Sequence, residues 1–164
     1  MSLTVVANLI VGRDGGTSLY GRSRGLSFPE DRNRFHELRK SAHAILIGGS
    51  TFRAEPYQKT ELPLFVATRS QIPAAGLIRV YCVTPLQLLD IAQSEFNGQI
   101  LIEGGVNFLS EILDASRVDM LYLTRSPIDG DADFIPKSFL VNYQLAESNR
   151  EGAGTFETWK RIIR

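Results

Sequence analysis

Short apolar runs rich in branched residues alternate along this chain with stretches whose apolar residues recur at helical spacing, and this alternation limits the fold more than any single motif. The runs are Leu3 to Val11, Ala44 to Ile47, Leu64 to Ala67, Ile78 to Val83, Gln99 to Ile102 and Met120 to Leu123. Nearly continuous apolar runs of this length are the pattern of strands covered on both faces. Between them, Asp31 to Ser41 sets Phe35, Leu38 and Ala42 on one stripe, and Leu86 to Gln93 and Phe108 to Asp114 do the same with leucines and isoleucines. The alternation predicts an α/β fold, with a mainly parallel central sheet flanked by helices on both faces. Thr84, Pro85 and Gln87 predict a helix start, with a hydroxyl at the N-cap, proline at the first helical position and a glutamine to reach back. The tail has no helical pattern; Tyr143 to Ser148 and Thr155 to Ile163, separated by Asn149 to Gly154, predict a C-terminal antiparallel hairpin.

With 164 residues, 43% of them hydrophobic, the chain can bury one core and not two, so one domain over residues 1–164 is expected. Eighteen basic residues balance eighteen acidic ones, which leaves no general attraction for nucleic acid or anionic membrane. The expected partner is a small molecule, and any anion must be held by local geometry. The sole cysteine, Cys82, is expected to be a buried small hydrophobe in the run Ile78 to Val83. Met1 to Leu9 has no basic segment before its short apolar run, and no run approaches the ~20 apolar residues of a membrane span, so a cytoplasmic protein is expected. His36 and His43 are seven apart with no partner at ligand spacing, and no metal site is expected.

Two glycine pairs carry the first functional signal. Gly48-Gly49 follows the run Ala44 to Ile47, Gly104-Gly105 follows Gln99 to Ile102, and each precedes a helix start. Parallel sheets bind ligands at that position. Glycine lets the backbone approach a phosphate, and the free amides of the next helix favour the anion. Ser50 and Thr51 add hydroxyls at one turn and Asn107 an amide at the other. A purely steric need for glycine at these turns explains each pair singly just as well. Neither pair has the spacing of a Rossmann or P-loop phosphate site. After the third run, Thr68-Arg69-Ser70 sets two hydroxyls around a guanidinium, a donor set for a phosphate monoester such as the 2′-phosphate of NADPH, or else a polar surface loop.

The order of these motifs resembles the dihydrofolate reductase superfamily over nearly the whole chain. Phe28-Pro29-Glu30-Asp31 followed by Phe35 is similar to the segment that opens the family's substrate helix, with its acid at Asp31. Ala44 to Phe52 resembles the family's strand and first cofactor turn, and Leu101-Ile102-Glu103-Gly104-Gly105 its second. Leu121-Tyr122-Leu123-Thr124, followed by Gly130 to Phe134, resembles its penultimate strand and loop. Within the superfamily the chain more closely resembles the pyrimidine reductase of riboflavin biosynthesis, the RibD C-terminal domain. Asp14-Gly15, Ser23 to Ser27, His36-Glu37-Leu38-Arg39 leading to Gly48 and Thr51, and Glu103-Gly104-Gly105 carry that closer likeness. Positions 12–15 read Gly-Arg-Asp-Gly where that branch usually has Ser-Leu-Asp-Gly, and Ala54-Glu55-Pro56 replaces its Asp-Asp-Pro. No His-x-Glu with Pro-Cys-x-x-Cys occurs, which excludes zinc deamination.

The resemblance implies NADPH as cofactor. It implies cofactor contacts from Ala7 near the nicotinamide, from Gly48, Gly49, Ser50 and Thr51, from Thr68, Arg69 and Ser70, and from Glu103, Gly104, Gly105, Val106, Asn107 and Phe108. The substrate set is Asp14, Ser23, Arg24, Asp31 and Arg53, and a homodimer is expected. The implied reaction reduces the ribosylamine of 5-amino-6-(5-phosphoribosylamino)uracil, in its open imine form, to the ribitylamine. Asp31 is the first candidate for assisting protonation, because a carboxyl group beside an apolar cleft is suited to proton transfer. Carboxylates are also favoured in the first turn of a helix by its dipole alone. Asp14 is the rival, and Asp-Gly is equally a turn former. Of the basic cluster Arg13, Arg22, Arg24, Arg32 and Arg34, one or two members are expected to act on a substrate phosphate. Two other readings stay open: dihydrofolate reductase or a reductase of another heterocycle, and a nucleotide-binding module without chemistry.

Overall fold

The structure, a computed structural model, describes residues 4–164, so Leu3 at the start of the first expected strand lies outside the described residues. In chain order the elements are β1 (Val5–Val11), β2 (Gly16–Ser18), α1 (Pro29–Lys40), β3 (Ala42–Gly48), α2 (Gly49–Ala54), β4 (Leu64–Ala67) and β5 (Ile78–Tyr81). They continue as α3 (Pro85–Glu95), β6 (Gln99–Gly104), α4 (Val106–Asp114), β7 (Met120–Arg125), β8 (Ala132–Phe134), β9 (Tyr143–Glu151) and β10 (Gly154–Arg161). Eight strands form one sheet in the order β5-β4-β3-β6-β1-β7-β10-β9. β5 to β7 in that order run parallel, and β10 returns antiparallel to both β7 and β9.

The apolar runs are continuous because both sheet faces are buried. Ala44 and Leu46 of β3 join Leu88 and Leu89 of α3 and Leu109 and Ile112 of α4 in the main core. Their neighbours Ile45 and Ile47 pack on the opposite face with Phe52 and Tyr57, and Leu38 of α1 covers Val6, Ala42 and Leu101. Side chains alternate across a strand, so each central strand feeds two layers. The start of α3 is closed as its sequence requires: Thr84 Oγ1 accepts from the Gln87 amide at 3.2 Å, and Gln87 Oε1 accepts from the Thr84 amide at 3.0 Å.

Three local expectations are corrected. Ala42 is not on the stripe of α1, because the helix ends at Lys40 and Ala42 opens β3, where it is buried. Cys82 is exposed rather than buried: β5 is an edge strand that stops at Tyr81, and the chain then turns into the cap of α3. The hairpin strands run further toward each other than expected, and the three-residue pair β2–β8 has no apolar period from which to read it. Among the described residues no helix is long and apolar enough to cross a membrane.

Candidate functional site

The C-terminal ends of β3, β4 and β6 open into one cleft of about 1170 Å³, which α1 and the segment before it close from the other side. One wall is backbone and hydroxyl. Gly48 ends β3 and is the N-cap of α2, and Gly105 is the N-cap of α4; neither cap position makes a side-chain hydrogen bond. First-turn amides at both helix starts are therefore free for an anion. Gly104 has φ of +116°, a conformation that side chains rarely adopt, and its peptide to Gly105 is cis.

The two turns touch. A Cβ on Gly105 would lie 3.0 Å from Thr51 Oγ1, and a Cβ on Gly48 would lie 3.4 Å from Phe108. A Cβ on Gly49 would come within 2.6 Å of Thr68 Oγ1, so the absence of side chains lets three strand ends converge. Gly48, Gly49, Ser50, Thr51, Thr68 and Arg69 line the cleft here. Gly105, Val106, Asn107 and Phe108 complete the wall.

Four expected cofactor contacts are placed differently. Ala7 is fully buried in the main core, and its neighbours Asn8, Leu9 and Ile10 line the cleft instead. Gly104 shapes the turn without lining the cleft. Ser70 lies in a smaller adjoining hollow, its amide donating back to Thr68 Oγ1 at 3.1 Å. Glu103 reaches the cleft, but its carboxylate is engaged inside the protein. Arg39 donates to it through Nε at 2.7 Å and Nη2 at 2.8 Å, and Tyr57 through its hydroxyl at 2.6 Å. Burial first, and then the charge and hydrogen bond of Glu103, push the Tyr57 phenol well above its ordinary range, so it stays a donor.

The opposite wall is charged. Asp31, in the first turn of α1, is 8% exposed and accepts from Ser27 Oγ at 2.6 Å. Arg22, Arg24 and Arg32 also line the cleft, and none of the three enters an ion pair among the described residues. Ser23 lies between them; its amide and hydroxyl both donate to Glu55 Oε1, at 2.8 and 2.9 Å, which joins this segment to the residue after α2.

The other members of the basic cluster are elsewhere. Arg13 forms an exposed pair with Asp129. Arg34 is turned into the sheet between the rings of Tyr122 and Phe156, 5.0 and 4.9 Å away, with Nη2 on the Glu157 carbonyl. Burial pulls its pKa down. Asp14 does not reach the cleft. Its carboxylate accepts from the Gly16 and Gly130 amides at 3.0 and 2.8 Å, which is the work of a turn-forming aspartate. Arg53 is also absent from the substrate wall: its exposed side chain runs beside Gly49, with Nη1 3.2 Å from where a Cβ would stand.

Several lining residues carried no signal of their own, among them Tyr57 and Asn8, and Glu55 was legible only as part of Ala54-Glu55-Pro56. His36 and Arg39 were legible in principle, because they follow Arg32 of the expected basic cluster at helical spacing along α1. Among the described residues no group of three or more His, Cys, Asp and Glu is gathered to hold a metal ion.

The parallel sheet with its terminal antiparallel hairpin is the dihydrofolate reductase-like fold. Residues 3–129 match the RibD C-terminal domain, and the chain belongs to that family. Three solved structures share the fold. Dihydrofolate reductase from Enterococcus faecalis, complexed with NADP(H) and RAB-propyl, is 19% identical with a TM-score of 0.74, over 98% of this chain and 97% of that one. A pyrimidine reductase-like protein from Corynebacterium diphtheriae is 19% identical with a TM-score of 0.73, over 98% and 92%. A diaminohydroxyphosphoribosylaminopyrimidine deaminase/5-amino-6-(5-phosphoribosylamino)uracil reductase from Thermotoga maritima is 14% identical with a TM-score of 0.70, over 97% of this chain and 56% of that longer one. No curated protein matches the sequence.

Proposed function

We propose that the chain is an NADPH-dependent reductase of the riboflavin pathway that reduces 5-amino-6-(5-phosphoribosylamino)uracil or a close phosphorylated analogue. The observation that carries this reading is the lining of one cleft: it brings together a buried acid, Asp31, three arginines that enter no ion pair among the described residues, and glycine turns with free amides. A dinucleotide fits the glycine wall, because its cradles are places a Cβ would fill and its donors are amides and hydroxyls. Gly48 to Thr51 and Gly105 to Phe108 would hold the pyrophosphate, and Thr68 with Arg69 the 2′-phosphate. When bound, NADPH supplies the hydride.

The chain's own part is to position, to exclude water and to handle the proton. Arg22, Arg24 and Arg32 hold the substrate phosphate. Leu9 and Ile10 keep the reacting end of the cleft apolar. Hydride adds to the imine carbon of the opened ribosylamine and a proton to its nitrogen, giving the ribitylamine and oxidised cofactor. Asp31, fixed by Ser27, passes that proton.

The same reading includes a homodimer, supported by the outer edge of β9 at the end of the sheet and tested by light scattering. The reaction is tested by following the absorbance of the reduced nicotinamide after adding 5-amino-6-(5-phosphoribosylamino)uracil to protein and NADPH. Oxidation is expected. Oxidation with dihydrofolate only would move the assignment to a pterin substrate, and NADPH binding without oxidation of either would leave a binding module.

A further inference from the structure

We propose that Glu103 is a positioning residue which, through Arg39 and Tyr57, holds the substrate helix α1 and the glycine turn after β6 as one mechanical unit. The Glu103 side chain is 2% exposed, although a carboxylate is costly to bury. Its three bonds lead to two other parts of the cleft. Arg39 stands in the last turn of α1, eight residues beyond Asp31 and roughly 12 Å further along the helix axis. Tyr57 follows α2, the helix that starts at the first glycine turn, and Glu103 itself immediately precedes Gly104.

The geometry of the tie is rigid. Arg39 grips Glu103 with two parallel bonds, a fork that fixes orientation as well as distance. Its guanidinium also packs on the rings of Phe35 and Tyr57, 4.3 and 5.5 Å from their centres. An apolar residue would fill the same space without the cost of a buried charge, so cohesion alone does not explain a carboxylate here. What a carboxylate adds is a single allowed arrangement of three elements. A ligand that orders the glycine turn therefore also orders α1, and with it Asp31.

The consequence for ligands rests on the reading proposed above, whereas the tie itself is a property of the free protein, and the test separates the two. Arg39→Lys keeps the charge and loses the fork, and Glu103→Gln keeps the shape and loses the charge. Amide hydrogen exchange of the ligand-free variants is expected to rise on the order of tenfold in residues 29–40 and 105–109 together, with the central strands unchanged. As a control, Tyr143→Phe removes a buried hydrogen bond to the Val118 carbonyl, far from the cleft, and is expected to leave the difference between these segments and the central strands as in wild type. Exchange that rises in only one of the two segments, in neither, or equally through the sheet overturns the proposal.

In the second arm, affinity for 5-amino-6-(5-phosphoribosylamino)uracil is measured with and without the oxidised cofactor NADP+, which cannot deliver hydride, so that binding is read without turnover. Wild type is expected to gain on the order of tenfold from the cofactor, and both variants less than about twofold. Undiminished coupling in Arg39→Lys overturns the proposal. If wild type binds no NADPH, the functional reading fails while the exchange arm still decides the tie.

Discussion

The two walls of the cleft are built on opposite plans. The glycine wall is made of backbone: turns at the ends of β3 and β6 pack so closely that single methyl groups would collide with Thr68 or crowd Thr51. It can take little but a group that offers acceptors to amides. The α1 wall is made of long charged side chains on a helix and a loop, with the buried acid Asp31 in the first turn of that helix. Such a wall tolerates substitution in shape and depends on charge. Backbone walls fix where a ligand lies, and side-chain walls decide which ligand it is and what happens to its protons.

The comparison can be broken at either wall. Gly105→Val has the largest expected effect: the side chain enters the cradle against Thr51, and NADPH affinity should fall on the order of 100-fold while the melt of the ligand-free protein stays near wild type. A melt that drops as far as the affinity would make the glycine a folding requirement instead. Asp31→Asn should lower turnover on the order of 100-fold and leave NADPH affinity unchanged, as measured by steady-state rates beside a cofactor titration. Wild-type turnover in this variant would remove the acid from the mechanism.

A smaller effect is expected from Arg24→Ala combined with Arg32→Ala. Loss of two charge-assisted contacts should raise KM about tenfold with kcat little changed. Weaker NADPH binding in this double variant would mean that the walls are assigned the wrong way round.

The smallest effect on either wall belongs to Tyr143, outside the cleft, and it concerns stability alone. Burial pushes its phenol up to about 12, and the hydroxyl donates to the Val118 carbonyl at 2.9 Å, a bond only the neutral form can make. A raised value in the folded state favours the neutral phenol, so its contribution is complete below about pH 10 and is lost as pH rises toward about 12. Denaturant titrations should show wild type losing up to about 2 kcal/mol more than Tyr143→Phe across that window, less where solvent screens the phenolate. Parallel pH curves for the two proteins would contradict the assignment.

The walls also differ in how far their sequence could be read. A glycine turn is a local event, a strand end followed by residues without side chains and a helix start, and Gly48, Gly49 and Gly105 stand where that pattern puts them. Alternating apolar runs are equally local, so the parallel sheet and the terminal hairpin follow from composition and period. Facing direction in a doubly buried strand is not local. Both neighbours of Ala7 are compatible with either face, and only the pairing of β1 with β6 and β7 sends Ala7 to the core.

On the α1 wall Asp31 was visible, while five arginines of similar sequence context divide into three at the cleft, one on Asp129 and one under Tyr122. That division depends on loop path. Asp14 misled because a turn aspartate and a site aspartate look alike before the turn is formed. Glu103 with Arg39 and Tyr57 joins positions 64 and 46 residues apart, beyond any short pattern.

A crystal structure of the protein soaked with NADPH would test the division of labour between the walls most directly. Dinucleotide density along Gly48 to Thr51 and Gly105 to Phe108, with Arg22, Arg24 and Arg32 still free, is the expected result. Density against those three arginines, with the glycine turns empty, would contradict it.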